Sequence, residues 1–183
     1  MRSSFEVEHC GQCLTQPPLW RKLYCVGDYT LPLSSYVQQL KFSQQLHQAD
    51  LLARLLADRV ALDVDAITYV PMHWRRQLWR GFNQSEWLAR PLAKQLNIPC
   101  ISMFQRTRAT RTQLGMDRND RQNNLRNAFR LKAASDYASI AIVDDVVTTG
   151  STVQQLCKLL LADGVQNVDI YCVCRTPEPI NRR

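Results

Sequence analysis

Ile140-Ala141-Ile142-Val143-Asp144-Asp145-Val146-Val147-Thr148-Thr149-Gly150-Ser151-Thr152-Val153 is the stretch on which the reading of this chain turns. Its apolar opening, with Ser139 before it, has the length and composition of a buried strand over Ser139–Val143. Two adjacent carboxylates stand where that strand should end. Small hydroxyl residues around one glycine come next, and a helix is predicted over Thr152–Leu161, stopped by Asp163-Gly164. Val168–Val173 reads as another strand. Strand, helix and strand in this order form the unit of a parallel sheet, in which ligands sit beyond the carboxyl ends of the strands.

The loop chemistry suits a phosphate monoester. Gly150 lets the backbone approach a ligand closely. The N–H groups at the start of the following helix are unsatisfied and carry partial positive charge. Thr148, Thr149, Ser151 and Thr152 add hydroxyl donors. Asp144 and Asp145 suit a neighbouring diol, since each carboxylate accepts from a sugar hydroxyl, and either could hold a water of a bound Mg²⁺. A Walker A loop is absent, as is a Gly-x-Gly-x-x-Gly dinucleotide fingerprint. A response-regulator receiver needs three more strands after its acidic pair, and too little chain remains for them. A purely structural turn would not favour two adjacent carboxylates beside so many donors.

Working outward, Ala66–Val70 is a β-type run closed by Pro71. A helix is predicted over about 84–96, with Asn83 as N-cap and Pro91 expected to kink or break it. Ile98–Phe104 reads as a strand, residues 105–127 as a long polar loop, and Ala128–Leu131 as a short strand. Such a loop in a compact domain is usually functional or disordered. Upstream, Val37, Leu40, Leu51, Leu52, Leu55, Leu56 and Val60 recur at helical spacing, which predicts one or two amphipathic helices. Residues 1–30 read as irregular. The expected architecture is therefore α/β: a mostly parallel sheet flanked by helices over 31–183, preceded by a short loop-rich segment over 1–30.

The chain has 183 residues, 45% of them hydrophobic, and a net charge of +7. Residues 71–130 hold 12 lysines and arginines against three acids, while the remainder is slightly acidic. Phosphate-bearing partners fit that cationic segment, and a merely solvated basic surface is the bland reading. Trp74, Arg75, Arg76, Trp79 and Arg80 combine charge with aromatic faces, a mixture that grips single-stranded DNA by stacking and phosphate contact. Phe82 and Trp87 instead suit the inner face of the helix that follows. Seven cysteines without a visible secretory signal argue against a disulfide framework. Cys100, Cys157, Cys172 and Cys174 lie in apolar surroundings and read as inert buried thiols. No apolar run reaches the ~18 residues of a membrane span, so membrane insertion is not expected and a cytoplasmic location is the default.

Residues 140–153 resemble the signature of type I phosphoribosyltransferases. With Leu40-Lys41-Phe42, Val70-Pro71-Met72-His73-Trp74-Arg75-Arg76, Arg80-Gly81-Phe82-Asn83-Gln84, Thr112-Gln113-Leu114, Arg118…Arg121-Gln122-Asn123-Asn124 and Asn127-Ala128-Phe129, the chain resembles the ComF/GntX family over about residues 36–176. That resemblance implies a type I phosphoribosyltransferase-like fold binding phosphoribosyl pyrophosphate with Mg²⁺. Asp144 and Asp145 would be the catalytic pair on the ribose hydroxyls. Thr148, Thr149, Gly150, Ser151 and Thr152 would hold the 5′-phosphate, and Arg75 and Arg76 the pyrophosphate. The loop over 105–127 stands where such enzymes carry a lid. The resemblance also implies a link to competence, the uptake or use of external DNA, with other competence proteins as partners. Family members usually begin with two Cys-x-x-Cys pairs on Zn²⁺. Here the single pair Cys10 and Cys13 looks like the second of them; one pair cannot close a tetrahedral Zn²⁺ site, and Cys25 and His9 could complete it only on a non-standard spacing.

Overall fold

The computed structural model describes residues 17–42, 46–72, 81–107 and 128–176. Its chain order is β1 (Lys22–Asp28), α1 (Leu33–Phe42), α2 (Leu46–Ala57), β2 (Ala66–Tyr69), α3 (Gln84–Leu96), β3 (Phe104–Arg106), β4 (Phe129–Leu131), β5 (Ser139–Val147), α4 (Ser151–Ala162) and β6 (Asn167–Arg175).

Four parallel strands run in the order β1-β6-β5-β2. A parallel bridge from Ile67 to Cys100 continues the ladder beyond β2, with the Ile67 N–H on Pro99 O and the Ile101 N–H on Ile67 O. This is the mostly parallel, helix-flanked sheet that the sequence predicts. Period-two alternation splits the central strands between two cores. Ala141, Val143, Tyr171 and Val173 face one cluster with α1, α2 and α3. Ile140, Ile142, Val168, Ile170 and Cys172 face the other, with α4 and the β3–β4 hairpin. Each helix closes its side with an apolar stripe at helical spacing. On α2 the stripe is Ala49, Leu52, Ala53 and Leu56, and on α4 it is Val153, Leu156, Cys157 and Leu160. A leucine such as Leu156, with no exposed surface, contributes about 2 kcal/mol by burial.

Where the ligand crevice falls follows from the connections. From β2 the chain leaves through α3 to the Cys100 bridge on one side. From β5 it leaves through α4 to β6 on the other. The two crossovers depart in opposite directions, so their helices cover opposite faces and a crevice opens between the carboxyl ends of β2 and β5.

Several expectations are corrected. Lys22–Asp28, within the segment expected to be irregular, is the edge strand of the main sheet, paired with β6 from Lys22↔Asp169 to Asp28↔Arg175. The α/β unit therefore begins before residue 30; the run Leu23-Tyr24-Cys25-Val26 carries the β preference that explains it. Pro91 does not break α3, which runs unbroken to Leu96. The strand expected over 98–104 divides: Cys100 pairs with β2, and Phe104–Arg106 pairs antiparallel with β4 in a second sheet. β5 is longer than predicted and carries both aspartates within the strand.

Candidate functional site

The site is built around the turn that links β5 to α4. Gly150 occupies the N-cap of α4 at φ 71°, ψ 0°, in the left-handed region, and no side chain caps the helix. A residue with a Cβ would be strained there, whereas glycine adopts it freely. The carbonyl of Gly150 accepts from the Gln154 N–H at 2.9 Å, so the helix starts at once. The first-turn N–H groups of a helix lack intrahelical acceptors, and the N-cap here, a glycine, has no side chain to offer them. Thr149 Oγ1 lies 2.9 Å from Ser151 Oγ and accepts weakly from the Ser151 N–H at 3.4 Å, which folds the two hydroxyls over the turn. A pocket forms here, lined by Asp144 and every residue from Val146 to Val153. Thr148 and Thr149 are exposed, and Gly150, Ser151 and Thr152 are half-buried.

Asp144 is set from two sides. Ser85 Oγ donates to Asp144 Oδ1 at 3.0 Å, and the Asp145 N–H donates to the same oxygen at 2.9 Å. Asp145 differs. Its Oδ1 accepts from the Val146 N–H at 2.8 Å, and it is not among the lining residues of the pocket. The pair predicted from sequence thus divides: Asp144 belongs to the pocket wall, and Asp145 bonds back on its own strand.

The stretch Gly81-Phe82-Asn83-Gln84-Ser85 explains how α3 meets this site. Gly81 turns the chain at φ 80°. Phe82 stacks on Trp87, with ring centroids 4.1 Å apart and 17° between planes, so both aromatics pack as the sequence reading expected. Asn83 is the predicted N-cap: its Oδ1 accepts from the Ser85 N–H at 3.1 Å. Its Nδ2 also donates to Val70 O at 3.0 Å, tying the end of β2 to the start of α3. That tie places Ser85 against Asp144. Composition and spacing did not single out Ser85; a small hydroxyl two residues after an N-cap was the available signal.

A second cleft opens on the other side of β2. Tyr69, Pro71, Met72, Asn83, Glu86, Ser102, Gln105, Arg106 and Lys132 line it with Phe104. It lies between the chain leaving β2 and the root of the β3–β4 hairpin, where the Thr107 N–H bonds Ala128 O at 2.9 Å. The long polar loop read from sequence springs from this hairpin.

These observations meet a consistent set of relatives. Residues 83–183 match the phosphoribosyl transferase domain. The chain is 46% identical over 177 residues to the DNA utilization protein YhgH of Salmonella typhi, covering 91% of this chain and 78% of that one. It is 39% identical over 183 residues to Competence protein F of Haemophilus influenzae, covering 93% and 80%. The chain belongs to the competence protein F-like family of phosphoribosyltransferase-domain proteins. Among solved structures, it is similar to glutamine phosphoribosylpyrophosphate amidotransferase from B. subtilis at 19% identity and TM-score 0.48, over 68% of this chain and 25% of that one. It is also similar to a purine phosphoribosyltransferase from Pyrococcus horikoshii at 18% identity and TM-score 0.42, over 73% and 74%.

The remaining sequence-derived residues divide by position. Trp74, Arg75, Arg76, Trp79 and Arg80, the pyrophosphate and single-strand candidates, lie outside the described residues, as do Cys10 and Cys13. Among the described residues no group of three His, Cys, Asp or Glu side chains could hold a metal ion. No described helix is long and apolar enough to cross a membrane. Cys25, Cys100, Cys157 and Cys172 are free thiols. Burial pushes Cys157 up to about 12 and Cys100 to about 11, and raises Cys172 well above its ordinary value. Such thiols stay protonated and unreactive at neutral pH.

Proposed function

We propose that the protein binds phosphoribosyl pyrophosphate at the β5–α4 turn, serves the cell's use of external DNA in the cytoplasm, and can transfer the phosphoribosyl group to an acceptor. The observation that carries this reading is the uncapped α4 N-terminus at a left-handed Gly150, opening into a pocket shared with Asp144. In it, the N–H groups of the first turn and the Thr148, Thr149, Ser151 and Thr152 hydroxyls hold the 5′-phosphate. Asp144, oriented by Ser85, accepts from a ribose hydroxyl. Asp145 adds charge at the same strand end. In transfer, the bond from the anomeric carbon to pyrophosphate breaks, the acceptor's lone pair forms the new one, and pyrophosphate leaves with both electrons. Arg75 and Arg76, on the chain leaving β2, would stabilise that leaving group.

Mg²⁺ fits this donor set as a partner of the pyrophosphate rather than as a caged ion. The described residues offer no metal cluster, and magnesium is typically held by substrate phosphates with one or two carboxylates. Its contribution would be to neutralise charge developing on the leaving pyrophosphate. The roles of Asp144 or Asp145 toward it are limited to holding one of its waters.

Calorimetric titration of phosphoribosyl pyrophosphate with Mg²⁺ tests the reading. The native protein should bind, and Asp144→Asn combined with Asp145→Asn should abolish binding; equal binding by both removes the assigned site. A second reading draws on the names of the relatives, DNA utilization protein and Competence protein F, and on the cationic segment 71–130. Here Trp74, Arg75, Arg76, Trp79 and Arg80 hold single-stranded DNA without catalysis, and the phosphoribosyl site regulates them. It requires DNA affinity that falls steeply with salt as counterions are displaced. Affinity that is absent, or independent of salt, excludes it.

A further inference from the structure

The turn that opens the pocket has a neighbour on its far side. A Cβ built on Gly150 would lie 2.9 Å from Trp20 Cη2, 3.6 Å from Cζ3 and 3.8 Å from Cζ2. The six-membered edge of the indole therefore rests against the Cα of the residue whose left-handed conformation starts α4. Trp20 is not among the residues lining the pocket. It packs instead on the apolar cluster of the α4 side, which includes Val147, Val153 and Leu156. The ring thus contacts the turn without forming part of the pocket wall.

Both chain neighbours of Trp20 are pinned. The Leu19 N–H donates to Gln154 Oε1 on α4 at 3.2 Å. The Arg21 N–H donates to Val168 O on β6 at 2.7 Å. The Arg21 guanidinium grips the buried Asp169 through Nε–Oδ1 at 3.0 Å and Nη2–Oδ2 at 2.8 Å, and reaches Asp63 Oδ2 at 2.7 Å. The backbone that carries the ring is thus tied on both sides to two different elements, and packing on the α4-side cluster orients the ring itself.

We propose that Trp20 is a positioning residue for the β5–α4 anion turn, acting through Gly150 to aim the first-turn N–H groups at the phosphate of a ribose 5-phosphate moiety. The inference rests on the phosphate reading of that turn. The positive φ calls for glycine there, and a methyl group would in addition press on the Trp20 ring edge at 2.9 Å. Binding an anion with N–H groups that are already aimed avoids the cost of ordering them on association. A turn without its buttress keeps its donors and loses their alignment.

Ribose 5-phosphate is the probe. Native protein, Trp20→Phe, Trp20→Ala, Gly150→Ala and the double variant Trp20→Ala/Gly150→Ala are titrated by calorimetry, with melting followed in parallel. Trp20→Ala should weaken binding about tenfold, and Trp20→Phe should restore most of it by returning a flat ring. Gly150→Ala should weaken binding by more, and its further effect should shrink in the Trp20→Ala background, where the methyl no longer meets the indole. In the unsubstituted protein labelled with 5-fluorotryptophan, the ¹⁹F resonance that disappears in Trp20→Phe should shift as ribose 5-phosphate binds. That measurement holds even where Trp20→Ala fails to fold. If the native protein does not bind ribose 5-phosphate, the phosphate reading falls and takes this inference with it. If it binds, but the Trp20 resonance stays still and Trp20→Ala binds as tightly, the buttress alone is overturned.

Discussion

Arg21→Ala should destabilise the fold by about 3 kcal/mol, and the figure follows from where its partners lie. Asp169 is the third residue of β6 and has no exposed surface, and both of its carboxylate oxygens are bonded to the Arg21 guanidinium. Truncating Arg21 leaves that carboxylate buried without a cation, a loss typically of about 3–5 kcal/mol. The lower end applies, because the Arg21 side chain is 29% exposed and water can follow it in when it is removed. Asp63, 55% exposed, adds less than about 1 kcal/mol, as screened surface pairs do. Against a total stability of about 5–15 kcal/mol the loss is large, and near the melting point it corresponds to a drop of about 6–12 °C.

Urea unfolding at neutral pH, followed by circular dichroism, reads the effect as a lower midpoint with an unchanged slope. The control is the same substitution in an Asp169→Asn background. With the buried charge gone, Arg21→Ala should cost only about 1 kcal/mol there. Equal costs in the two backgrounds, or a midpoint that does not move, would show that the bidentate pair is not what holds β1 and its preceding segment to β6.

Asn83→Ala removes an N-cap and the tie to Val70 O together, so α3 should lose about 2 kcal/mol, measurable as a lower urea midpoint. The same variant should bind phosphoribosyl pyrophosphate more weakly, since Ser85 then loses its register against Asp144. Alkaline pH should destabilise the protein through its buried thiols. Burial raises Cys157 from an ordinary 9.0 to about 12, so the unfolded chain releases its proton first and stability falls as pH rises above about 9. By pH 10 this thiol alone contributes a loss of about 1 kcal/mol, and Cys157→Ala should show a correspondingly flatter dependence of its urea midpoint between pH 8 and 10. Parallel pH profiles for the two proteins would refute the assignment.

What was legible in the sequence was local. Ile140–Val143 could only be a buried strand, and Gly150 amid hydroxyl residues could only be a turn at a helix start. Asn83 declared itself as a cap because a short polar side chain preceded an amphipathic run. The misreadings share a physical cause, which is that they depend on partners distant in sequence. Lys22–Asp28 has an edge strand's mixed exposure, so it lacks the apolar alternation that marks a central one, and its local β preference becomes a strand through pairing with β6. The strand expected over 98–104 divides because its two ends meet different sheets. Pro91 removes one N–H from α3, yet the helix continues because Leu88, Ala89, Leu92 and Ala93 on either side of it are all buried in the core. Tertiary burial outweighs one lost backbone bond.

Asp169 carries the same lesson into the site. An acid between Val168 and Ile170 in an otherwise apolar strand cannot remain buried without a cation, so its presence alone demanded a partner from elsewhere in the chain. The partner is Arg21, and the residue before Arg21 is the tryptophan behind Gly150. A charge buried 148 positions from Arg21 in sequence thereby anchors the segment whose aromatic ring meets the anion turn. Loss of the ion pair and loss of the ring should then converge. Arg21→Ala protein that is still folded at low temperature should bind ribose 5-phosphate more weakly, although Arg21 is not among the pocket-lining residues. Unchanged affinity in the folded variant would separate the edge of the sheet from the site and leave the ion pair a purely structural device.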